Sequence, residues 1–139
     1  MAVKIGHAAQ DENGRGEGLI SGDQTGKEVC ISKWYVSGSG WGWYIEAKDP
    51  ELLERMAKMM EQACANPKIG YSRTNRYKWY ASAKANGGDV SLASGDCDCS
   101  SLVSGIANLC GANVTNKLAT KSMLAAFKKS GDFNIYTDA

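Results

Sequence analysis

The sequence predicts an α+β domain. Three stretches carry that expectation. Residues 27 to 36 alternate and are rich in β-formers, the apolar residues of 50 to 65 recur at helical spacing, and after Cys99 the residues Leu102, Val103, Ile106, Leu109 and Cys110 share one helical face. With 139 residues, 43% hydrophobic and 22% charged, the chain has apolar material for one core. No internal repeat or low-complexity linker divides it, so residues 1–139 read as a single domain.

In order from the N-terminus, Ala2 to Ala9 reads as a strand, Gln10 to Gly18 as a turn-rich connection, and Leu19-Ile20 as the start of a second short strand. The alternate glycines there do not make a phosphate loop, because no helix opens after them. A polar turn at Ser21 to Gly26 leads into the strand of residues 27 to 36. Trp41, Trp43 and Tyr44 then crowd a glycine-rich stretch, either as a core or hairpin cluster or as a wall that stacks sugars or peptides. Asp49-Pro50-Glu51 is a helix start, with a cap, a proline at the first helical position and an acid favoured by the dipole. That helix runs over 50 to 65 and stops at Asn66-Pro67.

Residues 67 to 98 are long for a connection. A short helix is expected over 74 to 85, then a turn at Gly87-Gly88, with Arg73, Arg76, Tyr77, Trp79 and Tyr80 as the rim of a pocket. A net charge of +1 argues against reading that basic and aromatic mixture as a nucleic-acid surface. A polar loop from Gly95 runs into a helix that ends near Cys110. Thr115 or Asn116 caps another helix, with Leu118, Leu124 and Phe127 inward and Gly131 as its stop, and residues 133 to 137 form a closing strand.

The five cysteines are Cys30, Cys64, Cys97, Cys99 and Cys110. Met1 to His7 lacks the apolar core of a secretory signal, and no run of about 18 apolar residues suggests a membrane segment. Synthesis in a cytoplasm with reduced thiols is therefore expected. Cys97 and Cys99 stand too close for the usual zinc pair or redox dithiol, and one histidine cannot complete a metal set, so neither metal nor cofactor is expected. Cys99 falls in the first turn of its helix, where unpaired backbone N–H groups and the macrodipole favour a thiolate. It reads as a nucleophile, with a buried structural cysteine as the alternative. His7 is the one histidine, hence the one imidazole this chain offers as a base.

Asp98-Cys99-Ser100-Ser101-Leu102-Val103 resembles the nucleophile motif of NlpC-type cell-wall peptidases, papain-like cysteine hydrolases, with Ser101 where glycine is commoner. The helix of 50 to 65, Gly70-Tyr71 and the loop of 72 to 97 are similar to what precedes the cysteine in that family. Ile5-Gly6-His7-Ala8 and Gly22 to Val29 are similar to the N-terminal stretch of lysins from phages and prophages of Gram-positive bacteria. The resemblance implies a papain-like fold, an antiparallel sheet packed on helices. In the family the histidine follows the cysteine; here it precedes it. One resolution is a circular permutation with the His7 strand before the Cys99 helix and Asp23, Gln24 or Glu28 as the orienting residue; the other is a domain truncated before a C-terminal strand with a further histidine. The first is preferred because it uses residues the chain contains.

The implied activity is hydrolysis of an amide in the peptide stem of peptidoglycan through a thioester on Cys99, as an endopeptidase or as an N-acetylmuramoyl-L-alanine amidase. Tyr71, Asp98 and Ser100 would contact substrate. A lysin of this kind is made in the host cytoplasm without a signal and acts on the wall from there. The alternatives are an acyltransferase or deamidase of the same fold and a non-catalytic wall-binding or structural module.

Overall fold

The computed structural model describes residues 3–11, 13–15, 27–35, 40 and 42–137. Its elements in order are β1 (Lys4–Ala8), β2 (Val29–Lys33), β3 (Trp43–Ala47), α1 (Pro50–Ala65), β4 (Ile69–Tyr71), α2 (Lys78–Ala85), a 3-10 turn (Val90–Leu92), β5 (Gly95–Cys97), α3 (Cys99–Leu109), α4 (Thr120–Ser130) and β6 (Phe133–Thr137). The α+β expectation holds among the described residues. The strands form pairs rather than one sheet: β1 with β2 and β3 with β6 are antiparallel, while β4 with β5 is parallel. That parallel pair departs from the antiparallel sheet expected. It arises because α2 and the 3-10 turn supply the crossover that two parallel strands require.

Helix α1 forms where its caps place it. The Asp49 side chain accepts from the Glu51 N–H at 2.9 Å, and Asn66, extended before Pro67, ends the helix. The amide of Asn66 then donates to the carbonyls of Val90 at 2.9 Å and Ala93 at 2.7 Å, tying the end of α1 to the crossover. Leu52 and Ala63 of α1 are buried, with Met56, Met59 and Met60 packed beside them against the core. The methionines fill space between α1 and its neighbours.

Residues 95 to 97 were expected as loop. They form a strand in register with β4, Ile69 opposite Gly95 and Tyr71 opposite Cys97, and the Ser72 N–H extends the ladder to the Cys97 carbonyl at 3.0 Å. Gly95 has φ +126°, and a Cβ there would lie 2.9 Å from the backbone of Lys78 and of Trp79, so α2 comes this close only because the residue is glycine. Trp79 of α2 is fully buried on Gly105 of α3, where a Cβ would collide with its ring edge. The glycine notch lets α2 and α3 meet. Helix α2 starts at Lys78 rather than 74, and α4 at Thr120 rather than beside Thr115. The strand expected at Leu19-Ile20 lies outside the described residues, as do Trp41, Asp23 and Gln24.

Candidate active site

Helix α3 begins at Cys99 directly after β5, so the strand pair fixes where the helix starts. Asp98 is the cap: its Oδ1 accepts from the Ser101 N–H at 2.9 Å, while Ser101 Oγ accepts from the Asp98 N–H at 2.9 Å. This reciprocal box satisfies two donors and leaves the N–H groups of Cys99 and Ser100 without helical partners. Ser100 Oγ also donates to Asp98 Oδ1 at 3.3 Å.

A cation completes the arrangement. Arg76 Nε lies 3.0 Å from Asp98 Oδ2 as an ion pair, its N–H directed off the line of a hydrogen bond. The same guanidinium donates through an Nη to Ser100 Oγ at 2.8 Å and to the Leu118 carbonyl, and it rests 4.8 Å from the centre of the Tyr77 ring. One arginine thus joins the start of α3 to the segment leading into α4. Asp98 is buried, and an isolated carboxylate there would be costly, so the ion pair offsets that cost and holds the cap in place.

Cys99 is exposed, and its Sγ lies 3.9 Å from Thr120 Oγ1 at the start of α4. Tyr71, on the strand beside it, is buried; burial first and the neighbouring Cys99 second raise its phenol, while Arg73, which hydrogen-bonds it, pulls the other way. The phenol stays protonated and is a donor. Cys97 is fully buried, its thiol pushed well above the ordinary range by burial and then by Asp98 and Asp96. The fold therefore separates two cysteines that stand two positions apart: Cys97 packs in the core and Cys99 meets solvent.

The structure brings Tyr71, Asp98, Cys99 and Ser100 together. His7 sits elsewhere in the bonding pattern: its Nδ1 is 3.2 Å from the Tyr35 hydroxyl and its Nε2 is 3.4 Å from Cys30 Sγ, the residue opposite it on β2. Among the described residues no hydrogen bond joins His7 to Cys99. Glu28 is buried and its Oε2 accepts from the Lys27 N–H at 3.0 Å. Arg73 and Arg76, expected as the rim of a pocket, stand against Tyr71 and Asp98, and Thr120 is the site neighbour that sequence reasoning missed. A capping aspartate bound for burial needs a cation, yet nothing in the spacing names Arg76 over the other basic residues.

No group of three or more His, Cys, Asp and Glu is arranged to hold a metal among the described residues, and no helix there is long and apolar enough to cross a membrane. From residue 5 to residue 139 the sequence matches the endolysin-like domain. The chain belongs to that family. Neither the curated proteins nor the solved structures give a match. Membership of the endolysin-like family points to a cell-wall lytic role with peptidoglycan as the material acted on. The expected kinship with lysins is met at that level.

Proposed function

We propose that this endolysin-like domain is a peptidoglycan hydrolase that cuts an amide of the stem peptide through a thioester on Cys99, in the manner of NlpC-type cysteine peptidases. The observation that carries the reading is an exposed Cys99 at the first position of α3, with the backbone N–H groups of Cys99 and Ser100 left open by the capping box. The Cys99 sulfur attacks the amide carbonyl carbon, those N–H groups receive the developing oxyanion, and the amine leaves with the proton taken from the thiol. Water then attacks the thioester and releases the acid and the free thiol. Tyr71 donates towards the reacting carbonyl, and Ser100 lines the approach. Asp98 contributes by holding the helix start, since its carboxylate already accepts from Ser100 and Ser101 and pairs with Arg76.

The base in this proposal is His7, in a permuted papain-like arrangement with Asp23, Gln24 or Glu28 as its orienting partner. Serving Cys99 requires its imidazole to leave Cys30 as substrate binds. The bonds of His7 to Cys30 and Tyr35 favour a second reading, a wall-binding module without turnover. Incubation with purified Gram-positive walls, following newly released amines, separates the two. Release by the unaltered protein that vanishes in Cys99→Ala is expected; release undiminished in that variant sinks the mechanism, and wall adsorption without release supports the module.

A further inference from the structure

We propose that the outer face of the β3–β6 ribbon is a binding site for the glycan strand, distinct from the start of α3. The inference rests on the wall-directed reading above. Strand residues alternate between faces, and the register pairs Tyr44 with Tyr136 and Glu46 with Asn134. The opposite face carries Ile45, Ala47 and Phe133, of which Ala47 and Phe133 are buried and all three line an apolar cavity against α1, α3 and α4. The ribbon is therefore anchored by one face and, among the described residues, uncovered on the other. On the free face Tyr44 is 58% and Tyr136 49% exposed, their rings 5.8 Å apart and tilted by 36°.

Two adjacent tyrosine rings followed by a carboxylate and an amide repeat the two-sidedness of a pyranose. The C–H face of a sugar ring stacks on an aromatic ring, while its hydroxyl and N-acetyl groups need donors and acceptors at the edge, which Glu46 and Asn134 supply. Two half-exposed tyrosines offer on the order of 200 Å² of aromatic surface. A stable protein interface takes about 800 Å² from each partner, so the patch is far too small for a second copy of this chain and suits one disaccharide repeat of an N-acetylated glycan. Helix α4 links the ribbon and the start of α3: it starts at Thr120 beside Cys99 and ends just before β6, and Tyr44, Glu46, Asn134 and Tyr136 are none of the residues at the start of α3.

The test uses soluble β-1,4-linked N-acetylglucosamine oligomers as the probe, titrated into the Cys99→Ala protein by calorimetry, so that binding is read without turnover. Saturable binding is expected, weakened about tenfold by Tyr44→Ala or Tyr136→Ala, retained in Tyr136→Phe, and unchanged in Trp43→Ala on the other face. No binding by the full chain, equal binding by the tyrosine variants, or loss confined to Trp43→Ala overturns the proposal. So does a concentration-dependent dimer that Tyr44→Ala abolishes. Amine release from walls without oligomer binding removes the glycan site and leaves the hydrolase reading; oligomer binding without amine release does the reverse.

Discussion

Two thiols of this domain divide between them what a cysteine nucleophile needs. Cys99 has exposure and the open N–H groups of a helix start, but its sulfur faces a threonine hydroxyl. Cys30 has an imidazole at 3.4 Å, itself held by Tyr35, but sits half-buried on a strand with its thiol raised by burial first and then by Glu28. A triad is a matter of geometry, and the fold leaves open helix-start N–H groups at one thiol and places the imidazole at the other. The difference shows that pairing residues by elimination, the one histidine with the one motif cysteine, says nothing of which sulfur the ring meets at rest.

The largest expected effect concerns Cys99 against the thiol beneath it. In the folded protein, maleimide mapped by mass spectrometry should modify Cys99 at least about a thousandfold faster than Cys97, which reacts only when the core opens. Comparable rates would remove the basis for choosing Cys99. Next comes the support of that helix start. Arg76→Gln leaves Asp98 buried without its cation, and urea unfolding should show a loss of about 3 kcal/mol; Arg76→Lys should recover only part, because a lysine cannot hold Asp98, Ser100 and the Leu118 carbonyl at once. A variant as stable as the parent would show the ion pair to be idle.

A smaller effect tests the resting partner of His7. Without substrate, His7→Ala should slow alkylation of Cys30 about tenfold and change that of Cys99 less than twofold, while wall hydrolysis falls far more, on the order of a hundredfold or beyond. Alkylation of Cys99 falling with that of Cys30 would place the ring at both sulfurs before substrate arrives. The smallest effect is on stability at high pH. Burial raises the Cys64 thiol from 9.0 to about 11. Because the folded value lies above the unfolded one, the contribution is complete below pH 9 and is lost as pH rises towards 11. The urea midpoint should fall over that window, less so in Cys64→Ala.

Where the sequence carries caps and period, its reading meets the structure. Helix α1 follows from Asp49-Pro50 and Asn66-Pro67, and α3 from its apolar face after Cys99. Strands β4 and β5 were illegible because three residues show no alternation, and their parallel pairing depends on a crossover that only the fold reveals. The start of α4 was misplaced because Ala119, the capping position, has no side-chain oxygen; Ser122 turns back to take the Ala119 N–H instead. At the site, Cys99 was legible from its motif, whereas Asp98 was expected against substrate and Arg76 only as a pocket rim, and neither the cap nor its ion pair was legible. The role of Arg76 exists only once the segments leading into α2 and α4 have brought its guanidinium to Asp98 and the Leu118 carbonyl to that guanidinium.

The sealing of Cys97 beneath an exposed Cys99 also decides how the protein ages. A sulfenic acid formed on Cys99 is rescued fastest by a neighbouring thiol that closes a disulfide, and the nearest one in sequence is locked in the core. Peroxide should therefore carry Cys99 onward to sulfinic and sulfonic acid rather than into a bridge with Cys97, so that a reductant added early preserves the thiol and the same reductant added late does not.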